Sequence, residues 1–533
     1  MDDSSPSTLS ISLHDSGVLA GLNGFVVVAV TASITVLLGL VIYDPQWVQA
    51  GLSAAKGVSF KYLNGYYTYV VVLFMLACIA VAVHPRWGRI PLGDSGEAPE
   101  FGNLSWFSMM FGAGIGIGMI GYCVAEPLWH FGANPDLMSA AQVGSGAEPQ
   151  TEAAIPTAYR YTFLHWGFGA WTCYAVVGLC LAYTSFVRKQ LLTMRSTLMP
   201  LFGARLNGAL GHWIDIFSVV AILLGIGQTI GLGLSNFTAG LFHLTGMDGL
   251  MVDGAPTVSA LVVALCIIVG CSWVSAISGV GRGIKWLSNL NIGLSWLLIA
   301  LVMVVGSLAF SLEWLFRGVL DYVIHLPRLS TTVWQAGSEQ WQWQIDWSVF
   351  YWAWWIAFAP FVGLFLARIS KNRTIREFLF AAIIAPSFMC FLWFAVMGGT
   401  ALDLELHRTS VEPLINTSTS DHLYQLIGLL FDSNWATVVV GLVVVLLLTY
   451  LVTSADSAIL VMNLIGTGGR PDPAHSVRHS TLWASCLVAL IGALLVTGGL
   501  QAIKTAMILC AIPFSVIMVL MVVALFKTLI ANS

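Results

Sequence analysis

Charge is what this chain has least of. Its 533 residues include 22 Lys and Arg and 26 Asp and Glu, only 9% of the total, against about 25% in an ordinary soluble domain. So little charge does not cover a water-facing surface of this size, which excludes a soluble enzyme, a nucleic-acid binder and a disordered scaffold. A net charge of −4 gives no reason to expect a polyanionic partner. Cysteine patterns are missing too: the nine cysteines fall in apolar runs, without metal-ligand spacing, and read as small buried side chains. The N-terminal MDDSSPSTLSISLHDSG has neither the basic stretch nor the short apolar core of a signal peptide, so the first apolar run is expected to remain as a membrane helix. The apolar segments show no His/Cys/Asp cluster and no nucleophile–base pair, so neither enzymatic chemistry nor a cofactor is expected.

What fills the space is apolar: 58% of residues are hydrophobic and the mean hydropathy is +0.85. A helix needs about 20 apolar residues to cross the ~30 Å hydrocarbon layer. Runs of that kind centre at 24–43, 64–84, 102–123, 159–186, 213–242, 256–279, 287–311, 346–367, 377–399, 435–465, 480–498 and 503–530. The expected fold is therefore an all-α polytopic membrane protein with twelve transmembrane helices. Placing the N-terminus in the cytoplasm puts 15 of the 22 basic residues on the cytoplasmic side, including Arg188, Lys189, Arg368, Arg373 and Lys527, and Arg408 among the few outside. Both termini are then cytoplasmic. Residues 1–22 form a tail and 23–533 a single transport domain, with 311–326 as an amphipathic surface helix.

Two segments carry helix-breaking residues. The third has Gly112, Gly114, Gly116, Gly118 and Gly121, and the eighth has Pro360 and Gly363. Close packing between helices explains some glycines. Five within ten residues go further, permitting an unwound stretch whose carbonyls bind a cation, as in transporters built from inverted repeats. Helices 3–7 (102–311) and 8–12 (346–530) are then the two repeats, and helices 1 and 2 are peripheral. The 21 tryptophans are partly interfacial. Trp171 and Tyr174 share a helix face with Trp166 nearby, and Trp354 and Trp355 lie on another helix. Aromatics meeting from two helices make a cage for a quaternary ammonium.

These residues resemble the betaine/choline/carnitine transporter family. The resemblance rests on DWSVFYWAWWIAFAPFVGLFLARISKNRTIREF (346–378), on the glycine run Gly114–Gly118 with Glu126-Pro127 after it, on HWGFGAWTCY (165–174) and on TSADSA (453–458), in that order. It implies a LeuT-like fold of two inverted five-helix repeats, a homotrimer in the bacterial inner membrane, and uptake of a small onium solute, glycine betaine first among them. Choline, carnitine or dimethylsulfoniopropionate transport, or ion-independent exchange, are the alternatives. By position, the resemblance assigns the substrate site to Trp166, Trp171, Tyr174, Trp354, Trp355 and Phe358, with Gly114, Ile115, Gly116 and Gly118 of the broken helix. Phe358 stands where a Trp or Tyr is usual, and Ala357 where Ser is frequent. Trp347 and Trp352 lie towards the entrance, with a gating or structural role.

The same resemblance implies sodium as coupling ion, held by Gly112, Ile115, Tyr450, Thr453 and Ser454, with a possible second sodium near Thr229 and Phe361. Alone, Thr453 and Ser454 read as hydroxyls bonded back to their own helix. Sodium-independent exchangers of the family carry an Arg about where Ile292 stands, and no Lys or Arg occurs between Lys285 and Arg317. Asp456, an acid deep in a late helix, is expected to orient helices or gate. Glu126 and Arg160 are expected near the outer interface, and His165 as a hydrogen-bonded packing residue. The sequence stops at Ser533, without the long charged extension of osmosensing members, so activation through a terminal domain is not expected.

Overall fold

The computed structural model describes residues 9–94, 96–112, 116–143, 148–278, 281–407, 413–470 and 476–532. Gly114, Ile115 and Arg408, to which the sequence reading gives roles, lie outside the described residues. Among the described residues, all twelve expected segments lie mainly on helices. Among the described residues, ten helices are long and apolar enough to cross a membrane. Segments 480–498 and 503–530 belong to one helical run, Val477–Ala531, which breaks at Gly498 and Gly499, where φ is 61° at Gly499. Segment 102–123 falls on Asn103–Gly112 and Gly116–Tyr122, with 113–115 outside the described residues, and is followed by Ala125–Gly132.

The eighth segment differs from expectation. Phe350–Ile369 is a continuous helix through Pro360, entered by a widened turn at Ile345–Val349. A proline removes one backbone hydrogen bond and crowds the preceding turn. Here dense packing holds the helix straight enough to continue: every residue from Phe350 to Leu364 is buried. At Gly363 the backbone comes so close to Phe168–Ala182 that an added Cβ would lie 2.7 Å from the Val177 side chain and 3.0 Å from the Gly178 nitrogen. This contact sets how near the two aromatic-bearing helices stand.

The amphipathic helix runs over Leu308–Thr331, longer than 311–326. Its buried face, Ser311, Leu315, Gly318, Tyr322 and Leu329, lies against Ile155–Trp166, where Gly318 faces Tyr159 and Phe163. Arg160 pins the pair. It donates from Nε and Nη2 to the Asp321 carboxylate at 2.7 and 2.8 Å and from Nη1 to Asp136 at 2.6 Å. Arg160 is thus buried within an ion-pair cluster rather than spread on a surface. Leu312, Phe316, Leu320, Val323 and Ile324 leave an exposed apolar stripe on the same helix.

Candidate functional site

Ile155–Trp166 and Phe168–Ala182 are separate helices because Gly167 breaks the backbone between them, at φ −93° and ψ −146°. The bend places Trp166 at the end of one helix and Trp171 and Tyr174 in the first turns of the next. Phe350–Ile369 brings Trp354, Trp355 and Phe358 against them. Trp355 is the centre of the group. Its ring centroid lies 5.3 Å from Trp166 at an interplanar angle of 88°, 5.3 Å from Tyr174 at 67° and 6.0 Å from Trp171. Trp354 stands 6.2 Å from Trp355 and 6.3 Å from Trp166, and Phe358 stands 6.2 Å from Tyr174. All six are buried. Edge-to-face geometry is the favoured one for aromatic pairs. The expected box residues therefore do meet.

Each indole N–H of the group is already used by the protein. Trp166 Nε1 donates to Glu126 at 2.6 Å, Trp171 Nε1 to the Trp166 carbonyl at 3.2 Å, Trp355 Nε1 to the His165 carbonyl at 2.9 Å and Trp354 Nε1 to Thr229 Oγ1 at 3.1 Å. With their N–H groups bonded to protein acceptors, these indoles have no N–H left to donate to a guest. Gly118 brings Gly116–Tyr122 onto this group: a Cβ there would lie 3.0 Å from Trp354 Cη2 and 3.2 Å from Trp166 Cη2.

Sequence reasoning missed Glu126. Rather than lying at an exposed interface, it is fully buried behind Trp166. Oε2 accepts from Trp166 Nε1 and, at 2.5 Å, from the Tyr351 hydroxyl. Oε1 lies 2.7 Å from His165 Nδ1 and 3.2 Å from His130 Nε2. The expectation that the helices hold no His/acid cluster is corrected here: one ligand atom each of Glu126, His130 and His165 falls within 4.8 Å of the others. Helix spacing accounts for Glu126 and His130, four apart. His165 comes from another helix, so only tertiary packing joins it to them.

A family model described as betaine/carnitine/choline family transporter matches residues 25–533. The chain belongs to this family. It is 35% identical over 505 residues to a glycine betaine transporter, OpuD, of Bacillus subtilis, covering 95% of this chain and 93% of that one. To an osmo-independent choline transporter, BetT1, of Acinetobacter baylyi it is 34% identical, with 95% and 93% covered. To a betaine/ectoine transporter, LcoP, of Corynebacterium glutamicum it is 33% identical, with 87% and 71% covered. The protein is a multi-pass membrane transporter and not an enzyme.

The transporter's remaining expected site residues gather on neighbouring helices. Gly112 is the last described residue of Asn103–Gly112, and Gly114 and Ile115 lie outside the described residues. Gly116, on Gly116–Tyr122, comes so close to Ser433–Gly466 that a Cβ there would lie 2.2 Å from the Tyr450 ring. Thr453 Oγ1 donates within its helix, with the Thr449 and Tyr450 carbonyls at 2.9 and 3.1 Å, and accepts from Asn291 Nδ2 at 3.3 Å. Ser454 follows it, half-buried. Thr229 Oγ1 donates to the Gly225 carbonyl at 3.2 Å, and Phe361 packs on Phe358 at 5.1 Å. Trp347 lies 6.3 Å from His165 with parallel rings, and 5.2 Å from Trp129. Trp352 lies 6.2 Å from His165 and lines a narrow cleft with Thr68 and Val71 of Pro45–Val83. Asp456 is buried and accepts from Ser275 Oγ at 2.9 Å, a contact between two helices.

Proposed function

We propose that this transporter takes up a small quaternary-ammonium or related onium solute, glycine betaine foremost, driven by the sodium gradient. The observation that carries the reading is the buried group of Trp166, Trp171, Tyr174, Trp354 and Trp355, whose indole N–H groups all point into the protein. A trimethylammonium group has no N–H to donate and is recognised by π faces. Each face contributes roughly 0.5–2 kcal/mol, more where water is excluded. Choline is a second reading. Phe358 adds a face without a donor for a carboxylate, and the choline transporter of Acinetobacter baylyi is 34% identical. Concentrative uptake of labelled glycine betaine into proteoliposomes, competed by choline, carnitine, dimethylsulfoniopropionate and ectoine, tests the assignment. Glycine betaine and choline are expected to compete most strongly, and uptake indifferent to every onium solute sinks the reading.

Sodium suits the donors near the glycine run. Neutral carbonyls and hydroxyls satisfy a hard monovalent cation without a buried carboxylate. Gly112, Tyr450, Thr453 and Ser454 supply that kind of oxygen, as Ile115 does by its place in the sequence. Buried beside them, the Asn291 side chain has an Oδ1 without a hydrogen-bond partner. An orphan oxygen of this sort asks for a cation or a water. The proposed setting is the bacterial inner membrane with both termini in the cytoplasm. The exposed stripe Leu312, Phe316, Leu320 on the amphipathic helix suits contact between copies in a homotrimer. Native mass spectrometry is expected to give three copies for the wild type and monomers for Phe316→Glu combined with Leu320→Glu. A wild-type monomer in mild detergent refutes the trimer.

A further inference from the structure

The cage has no formal charge of its own, yet a carboxylate stands directly behind it. We infer that Glu126 is a positioning residue for the onium cage: its two oxygens set the orientation of Trp166 directly, and of Trp355 and Trp171 through the backbone that His165 and Trp166 share. This rests on the onium reading above.

The chain of contacts is short and closed. Oε2 holds the Trp166 indole at 2.6 Å, which orients that ring, and holds the Tyr351 hydroxyl at 2.5 Å on the facing helix. Oε1 holds the His165 ring, whose Nε2 lies 3.0 Å from Ser348 Oγ on the turn leading into that same helix. The His165 carbonyl then accepts the Trp355 indole N–H, and the Trp166 carbonyl accepts the Trp171 indole N–H. Three of the cage tryptophans thus depend on the last residues of Ile155–Trp166, and Glu126 is the side chain that ties those residues to both neighbouring helices. Trp166 and Tyr351 are themselves in ring contact at 5.6 Å, so a shift of either moves the other. Aromatic recognition is steep in orientation, because a cation is attracted by the face of a ring and repelled by its edge.

A hydrogen-bond role and a charge role give opposite orders of substitution. Glu126→Gln keeps the length of the side chain. Its carbonyl oxygen accepts from Trp166 and Tyr351, and its amide donates to His165 in the tautomer that carries hydrogen on Nε2 and gives it to Ser348. Glu126→Asp keeps the charge but is one methylene shorter, and withdraws both oxygens from their partners. The experiment measures KM and maximal rate of glycine betaine uptake for wild type, Gln, Asp and Ala variants in proteoliposomes, with tryptophan fluorescence of each purified variant before substrate is added. Positioning predicts a KM within about threefold of wild type for Gln, a rise of about tenfold or more for Asp and Ala, and a changed substrate-free emission for Asp and Ala alone. The Asp variant keeps the test open where Ala does not fold. An Asp variant with wild-type KM, or a Gln variant as impaired as Asp, overturns the proposal. Wild-type protein that takes up no onium solute defeats the onium reading instead, and the substrate-free fluorescence order still decides the role of Glu126.

Discussion

Replacing Trp355 by Leu is expected to abolish measurable uptake while leaving a folded transporter. Trp355 touches Trp166, Trp171, Tyr174 and Trp354, so its loss removes one cation-binding face and frees the orientation of the others. Losing about 2 kcal/mol of desolvated cation–π attraction alone weakens binding about 30-fold, and misplacing the neighbours adds to it. The cost in stability is of a different order of consequence. Exchange of a buried tryptophan for a smaller apolar side chain costs roughly 2–4 kcal/mol, and the His165 carbonyl loses its donor, for about 1–3 kcal/mol more. Spread over a core that runs from Leu9 to Leu529, this lowers the melting temperature without dissolving the bundle. The checks are uptake at saturating and trace glycine betaine and a thermal melt followed by size-exclusion chromatography. Trp355→Phe is expected to fall between wild type and Leu, because it keeps a face and loses the N–H. A folded Leu variant with KM within twofold of wild type refutes the cage. Trp171→Leu is expected to behave in the same way, since the Trp171 ring closes the side towards Tyr174 at 5.5 Å.

Substituting potassium for sodium on the outside of proteoliposomes is expected to reduce uptake to the background of empty vesicles. Each tenfold sodium gradient supplies about 1.4 kcal/mol per ion, and the proposed ligands bind a small cation by close contact with neutral oxygens. The helix bearing Ile292, Gly281–Val305, reaches the proposed site with neutral groups. Asn291 Nδ2 donates to Thr453 Oγ1, and Ser295 Oγ lies 3.0 Å from the Tyr450 hydroxyl. No described side chain of that helix brings a cation to Thr453 in place of sodium. Thr453→Val is accordingly expected to raise the sodium concentration for half-maximal uptake by about tenfold, the loss of one hydroxyl ligand to a cation, with little change in the thermal melt, because the valine keeps the shape. Counterflow that proceeds at full rate without sodium, with Thr453→Val unaltered, establishes exchange in place of symport.

Much of this transporter was legible one segment at a time. Helices of 20 apolar residues announce themselves by length. Trp166, Trp171, Tyr174 and Trp355 were legible as candidates through residue type and spacing, and the structure brings them together. The eighth segment was harder. Pro360 interrupts a helix in isolation, but the burial of Phe350–Leu364 and the approach of Gly363 to Val177 keep the helix whole. Arg160 was read as an interfacial cation, and its two carboxylate partners, Asp136 and Asp321, are 24 and 161 residues away.

Composition by itself determined that the chain lives in a membrane, and motif spacing determined which rings are available to meet an onium group. Local order sufficed for both, since insertion depends on apolar length and helical faces on a period of 3.6 residues. The tertiary structure alone decided which way each indole N–H points and what lies behind the rings. Glu126 in sequence is one acid beside a proline. In the fold it takes hydrogen bonds from three helices, because a carboxylate buried among apolar side chains must be met by donors wherever the packing can bring them.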